Sequence, residues 1–99
     1  MNMQAMLKQA QALQKDMINA KQKVDEMEFV SESSLVKLTM KGTREVIKVE
    51  IKKDASLEKD DLEMLEDMIM VAVNEANKKV DKAIEEHVGK YTKGMPGLF

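Results

Sequence analysis

Three segments of the chain differ in the spacing of their apolar residues. In the first, residues 2–28, apolar residues recur at alternating steps of three and four, and glycine and proline are absent. This heptad spacing predicts a long helix that packs along another helix. The stripe consists of Met3, Met6, Ala10, Leu13, Met17, Ala20, Val24 and Met27.

The second segment, residues 29–53, changes to a period of two, in which apolar residues alternate with charged ones. This pattern predicts an antiparallel meander of about three strands, with one apolar face and one lysine-rich face. A first strand is expected from Phe29 to Glu32. Between the second and third strands, residues 41–44 are expected to form a turn in which Gly42 takes a positive φ. The alternating apolar residues are Val36, Leu38, Met40, Ile47, Val49 and Ile51.

The third segment predicts a second long helix over residues 60–88. Asp60, three residues before Glu63, is typical of a capping box at the start of a helix, and Gly89 is expected to cap its end. Residues 89–99 contain two more glycines and the only proline, so we expect a flexible tail. Six consecutive apolar residues, Met68 to Val73, indicate a helical turn that is buried on more than one side.

Together the segments predict a single α+β domain over residues 1–99. The first helix would be roughly 40 Å long, whereas a compact domain of this size is only about 33 Å across. We therefore expect the two helices to project as an antiparallel arm and the chain to form a homodimer. The alternatives are an ordinary two-helix core and a deep monomer core. The predicted dimer residues are Met68, Ile69, Met70, Val71, Ala72 and Val73.

Composition argues against most kinds of chemistry. The chain has no cysteine and one histidine, which excludes thiol catalysis and a multi-histidine metal site within one chain. His87 could act as a base or a pH switch, but a solvated histidine near a helix end is the simpler interpretation. Paired acids such as Asp60 and Asp61 could bind a cation, yet adjacent helical residues do not face each other. We expect a cytoplasmic protein that is not an enzyme and has no metal, cofactor, small-molecule substrate or membrane partner.

The charge is unevenly distributed along the chain. The net charge is −2, but residues 1–15 carry +2, residues 78–99 carry +2 and residues 16–77 carry −6. Basic arm tips on an acidic body would bind a phosphate backbone through the projections alone. The alternative is that these lysines only keep the exposed helices soluble. Since neither helix contains arginine and aromatic residues are only 3%, any DNA contact should be mainly to phosphates and sensitive to salt.

Several short motifs in order resemble the YbaB/EbfC family of bacterial nucleoid-associated proteins, and the likeness spans nearly the whole chain. They are Met6-Leu7-Lys8-Gln9-Ala10-Gln11, Leu35-Val36-Lys37-Leu38-Thr39, Gly42 with Glu45-Val46, Met64-Leu65-Glu66-Asp67-Met68-Ile69, Ala72-Val73-Asn74-Glu75-Ala76 and Gly94-Met95-Pro96-Gly97.

The resemblance implies a homodimer in the nucleoid whose helical arms bind double-stranded DNA. Charge and position then select the arm lysines as the candidate contacts. An alternative function is a protein–protein interaction module whose heptad arms clamp a partner protein. The candidate DNA-binding residues are Lys8, Lys15, Lys78, Lys79 and Lys82.

Overall fold

The computed structural model describes residues 2–52 and 56–92, and it confirms the predicted α+β order of helix, three-stranded sheet and helix. A single 3-10 turn precedes the second helix within these residues. In chain order the elements are α1 (Met3–Glu26), β1 (Glu28–Glu32), β2 (Val36–Lys41), β3 (Val46–Ile51), the 3-10 turn (Lys59–Asp61) and α2 (Leu62–Thr92).

The sheet is an antiparallel meander with β2 in the centre. Val36, Leu38 and Met40 point from β2 into the core and are at most 1% exposed. The pairing of β2 with β3 is irregular between Thr39 and Met40. Met40 pairs with Val46 and Thr39 with Lys48, so β3 contains one extra residue, which is typical of a β-bulge.

The helix α2 covers β1 and β2 but leaves β3 uncovered. Its buried face is rich in small residues, of which Ala72 and Ala76 are at most 3% exposed; small side chains allow a helix to approach a sheet closely. On β3, by contrast, Val46, Val49 and Ile51 are between 39 and 46% exposed. The apolar layer of the sheet is therefore wider than the helix that covers it.

The junction between α1 and the β2–β3 turn depends on Gly42. Its N–H donates to the carbonyl oxygen of Met27 at 3.0 Å, and a Cβ built on Gly42 would lie only 1.7 Å from the carbonyl oxygen of Val24. The expected reason for this glycine was wrong, since the positive φ of the turn, 76°, falls on Arg44. Gly42 is needed because the backbone of α1 crosses the turn too closely for any side chain.

Arg44 attaches the same turn to α2. Its guanidinium donates to Oδ1 of Asn77 at 2.9 Å and to the carbonyl oxygen of Asn77 at 3.3 Å. It also forms an ion pair with Asp81. Since α1 ends at this turn and α2 runs away from it after Asp81, the two helices pack antiparallel, as predicted.

Both ends of α2 differ from the prediction. The capping pair lies before α2, at the start of the 3-10 turn that leads into it: the N–H of Glu58 donates to Oδ2 of Asp61 at 2.9 Å, and Asp60 does not fill this role. At its end the helix continues through Gly89 to Thr92, so the prediction that Gly89 terminates it is wrong. Gly89 is buried, and the carboxylate of Glu85 lies against it. The predicted tail therefore begins no earlier than residue 93, and residues 93–99 lie outside the described residues.

The described part of the chain is elongated, with extents of 71 × 21 × 15 Å. Its core runs along one face of α2, and the contribution of α1 comes from its second half, where Val24 is fully buried and Met17 and Ala20 pack against the core. Neither described helix is long and apolar enough to cross a membrane.

Candidate nucleic-acid interface

The first half of α1 forms a free projection. Every residue from Asn2 to Asp16 is exposed, and the helix begins where Oδ1 of Asn2 accepts a hydrogen bond from the N–H of Gln4 at 3.0 Å. Lys8 and Lys15 lie on this projection. No salt bridge joins either ammonium to a carboxylate among residues 2–52 and 56–92. A phosphate could therefore approach both lysines without displacing an existing partner.

These two lysines lie on the opposite side of α1 from its apolar stripe. They are seven residues apart and occupy the same heptad position, f, whereas the stripe occupies positions a and d. The two lysines therefore share one face of the helix, and their face is separate from the apolar one.

The three candidate lysines of α2 have different surroundings. Lys78 lies 3.5 Å from Oε1 of Glu75, and Lys79 donates to the carbonyl oxygen of Val30 in β1 at 2.5 Å. Lys82 has no such partner among the described residues. Because Lys79 reaches the sheet, this group lies beside the sheet and not at the tip of the arm. The structure thus spreads the five lysines along the molecule, and among residues 2–52 and 56–92 the tip of the arm is formed by α1 alone.

The six residues predicted for the dimer interface do not all face the same way. Ala72 is buried in the core, and Met68, Ile69 and Val73 are half-buried against it. Met70 and Val71, in contrast, are 56 and 52% exposed. The apolar run therefore contributes to the core of its own chain and to the surface at once.

Met70 and Val73 belong to the side of α2 that faces β3. They lie seven and four residues before Asn77, so all three share one face of the helix. Asn77 is held by Arg44 of the β2–β3 turn, which places this face next to β3. Together with Val49 and Ile51 they form an apolar surface, which we call the β3 surface. Val49 and Ile51 were not predicted to be surface residues, because they alternate with charged residues as the core face of a strand does.

A groove lies on the β1 side of α2 and has a volume of about 620 Å³. Its floor is apolar and its walls are mainly acidic, so it would repel a phosphate backbone. The acidic residues that line it are Glu32, Asp60, Glu63, Asp67 and Glu75.

The remaining candidates for chemistry stay apart from one another. His87 is an exposed residue of α2. Among residues 2–52 and 56–92, no group of three or more His, Cys, Asp or Glu side chains could hold a metal ion. The exposed lysine face of α1 is therefore the feature of the described surface that suits a phosphate backbone.

Known proteins resemble this chain over almost its whole length. Residues 1–95 match the YbaB/EbfC DNA-binding family. A nucleoid-associated protein of Enterococcus faecalis is 44% identical over 99 residues, which cover 98% of this chain and 94% of the relative. A nucleoid-associated protein of Lactococcus lactis is 41% identical, with 97% of this chain and 98% of the relative covered. One of Ligilactobacillus salivarius is 38% identical, with 99% and 95% covered.

Proposed function

Because the chain belongs to the YbaB/EbfC DNA-binding family, we propose that it is a nucleoid-associated protein of the cytoplasm that binds double-stranded DNA through the basic arms of a homodimer. The family match and the names of the relatives support the ligand and the location. The observation that carries the role of the arms is the lysine face formed by Lys8 and Lys15 on the projecting half of α1, which is exposed and forms no ion pair with any other described residue.

The proposed contacts are mainly to the phosphate backbone. Lysine ammonium groups act as point charges and suit phosphates, whereas bidentate recognition of guanine edges favours arginine. The only arginine of the chain, Arg44, is already bonded to Asn77 and Asp81. We therefore propose weak sequence preference. The contact set remains Lys8, Lys15, Lys78, Lys79 and Lys82, with the largest contributions from the lysines that have no partner in the described part of the chain.

The proposed dimer forms through the β3 surface, to which Met70 contributes the exposed part of the Met68–Val73 run on this side of α2. Exposed apolar patches of this kind are typical of protein interfaces, and an open edge strand such as β3 favours pairing with another strand. The acidic groove on the β1 side would keep the body of each protomer away from DNA. It therefore favours contact with DNA through the arms of the dimer. Sedimentation that gives a stable monomer at micromolar concentration would contradict the dimer.

A protein–protein clamp remains the second candidate, because the projecting half of α1 also carries exposed apolar residues. Met3, Met6, Leu7 and Leu13 are all more than 50% exposed. The two functions differ in their response to salt. An apolar clamp would be nearly indifferent to ionic strength, whereas phosphate contacts weaken with a slope in log K of about −0.9 per contact. Neither function requires catalysis, and we propose none.

The test is a pair of double charge reversals with equal change in net charge. Lys8→Glu with Lys15→Glu removes the arm face, and Lys37→Glu with Lys41→Glu changes the outer face of the sheet. Binding to random duplex DNA would be measured at several salt concentrations. We expect the arm variant to lose binding and to reduce the salt slope by about 0.9 for each contact removed.

The sheet variant should retain most of its affinity. An arm variant that binds as tightly as the unmodified protein, with the same salt slope, would contradict the role of the arms. If instead neither variant nor the unmodified protein binds duplex at low salt, DNA binding itself is wrong for this chain.

A further inference from the structure

The acidic groove on the β1 side of α2 has an apolar floor that neither the proposed dimer nor the lysine face uses. The floor is formed by Met64, Met68 and Val71, which follow one another at steps of four and three and therefore share one face of α2. Met64 is 45% exposed and Val71 is 52% exposed. The β3 surface lies on the other side of the same helix, so the proposed dimer leaves this floor uncovered.

Carboxylates border the floor on both sides. Glu63 and Asp67 lie one helical turn apart along α2, and Glu32 lies on the opposite border at the end of β1. Asp60 and Glu75 lie near the two ends of the groove. An apolar floor between two acidic borders is complementary to an apolar stripe between two basic ones.

Three of these carboxylates are available to an incoming cation. Glu32 lies 3.2 Å from Nζ of Lys52, and Glu75 lies 3.5 Å from Nζ of Lys78. The other three form no ion pair within the part of the chain that the structure describes. They are Asp60, Glu63 and Asp67.

The neighbouring sheet edge favours a helix over an extended peptide as the occupant. An extended peptide would pair with β1, where the carbonyl oxygen of Val30 already accepts a hydrogen bond from Nζ of Lys79 at 2.5 Å. A helix needs no such bond, because its backbone groups pair with one another. The floor from Met64 to Val71 is about 11 Å long, which suits a helix that packs alongside α2.

A second copy of this chain does not supply the matching helix. The stripe on the exposed half of α1 is flanked by heptad positions e and g, whereas Lys8 and Lys15 lie on the opposite side of the helix. An arm that docked by its stripe would therefore bring no cation to the borders of the groove. The flanking residues are Leu7, Gln9, Gln14 and Asp16, none of which is basic.

We propose that the acidic groove binds an amphipathic helix of another protein, whose apolar stripe is flanked on both sides by lysine or arginine. The stripe packs on the apolar floor, as anchor residues do when a helix lies in a groove. The flanking cations meet the carboxylates of Glu63 and Asp67 on one border and of Glu32 on the other. Because the lysine face of α1 takes no part, the inference does not depend on DNA binding and is tested without DNA.

Two synthetic helical peptides of equal composition test the required pattern. In the probe, two heptads carry leucine at positions a and d and lysine at positions e and g. In the control peptide the lysines are moved to positions c and f, away from the leucine stripe. We expect the probe to bind the full-length protein at least about tenfold more tightly than the control peptide, because only its cations reach the acidic borders. Fluorescence anisotropy of labelled peptides measures both affinities.

Two double charge reversals then locate the site. Glu63→Lys with Asp67→Lys should weaken binding of the probe by at least about tenfold, since like charges would then face each other. The matched control, Glu26→Lys with Glu86→Lys, makes the same change in net charge at exposed residues outside the groove. Salt screens these distant charges, so we expect a change of less than about threefold. Glu63→Gln with Asp67→Asn removes the charges with little change in shape and should also weaken binding.

Equal affinities for the two peptides, or equal losses for the two charge reversals, would overturn the proposal, because binding would then reflect net charge alone. Failure of the probe to bind at millimolar concentration would also overturn it. If a peptide of residues 2–16 of this chain binds as tightly as the probe, the occupant is a second copy and the assignment to another protein is wrong.

Discussion

The two halves of α1 carry one heptad stripe but have different surroundings. In the second half, Val24 is fully buried and the stripe packs against the core. In the first half, Met6 and Leu13 occupy the same heptad positions and are more than half exposed. The sequence pattern is continuous across this boundary, so the difference arises from where α2 ends and where the β2–β3 turn meets α1. A helix pattern thus identifies the apolar face, but not what covers it.

The largest effect is expected at the junction that holds the covered half. Gly42→Ala places a Cβ 1.7 Å from the carbonyl oxygen of Val24 and 2.9 Å from Cα of Asp25. Both are backbone atoms, so α1 must move away from the turn. We expect the free energy of unfolding to fall by about 3 kcal/mol, at the upper end of overpacking costs. Urea denaturation at fixed protein concentration measures it.

The matched control is Gly89→Ala. There the nearest atom is Oε1 of Glu85 at 2.9 Å, the flexible end of a side chain that can rotate away. Alanine also favours a helix over glycine by up to about 1 kcal/mol. We expect little loss or a small gain in stability. Equal losses for the two variants would contradict the account of Gly42.

A smaller effect separates the covered stripe from the exposed faces of the same helix. Val24→Ala removes buried methyl groups and should cost about 2 kcal/mol, including the cavity that remains. Ile18 lies off the stripe and is 47% exposed. Ile18→Ala should therefore change the free energy of unfolding by no more than about 0.5 kcal/mol. Thermal unfolding of both variants gives the comparison, and a loss at Ile18 as large as that at Val24 would contradict the burial pattern.

The smallest effect is expected for the polar contacts between the β2–β3 turn and α2. Arg44→Ala removes the bonds to Asn77 and Asp81. Because the Arg44 and Asp81 side chains are 42 and 64% exposed, water screens the pair and the loss should be about 0.5–1 kcal/mol. Arg44→Gly should recover part of it, since glycine accepts the positive φ of 76° without strain. A larger loss for the glycine variant than for the alanine variant would contradict backbone strain at this position.

Much of the fold follows from periodicity alone. The heptad and alternating patterns predicted both helices, the meander and the antiparallel arm, because each pattern reflects one face that must be buried. Helix ends were less predictable. Gly89 resembles a C-terminal cap in sequence, but in the structure it is buried and the helix continues past it to Thr92.

Features that depend on distant contacts could not be predicted in the same way. The need for glycine at position 42 comes from the approach of Val24, which lies in another element. The exposure of Val49 and Ile51 depends on the width of the sheet compared with α2. Similarly, the charge count did not show that Lys79 reaches Val30 beside the sheet. The proposed lysine contacts and dimer residues remain predictions.

The bond from Lys79 to the carbonyl oxygen of Val30 has a consequence for assembly size. A charged side chain held at an outer strand discourages further strands from joining there. With the edge at β1 protected in this way, further strands could be added to the sheet only at β3. If two copies pair through β3, each uses its one open edge and the combined sheet has no open edge left. Association then stops at a dimer and does not extend into a filament.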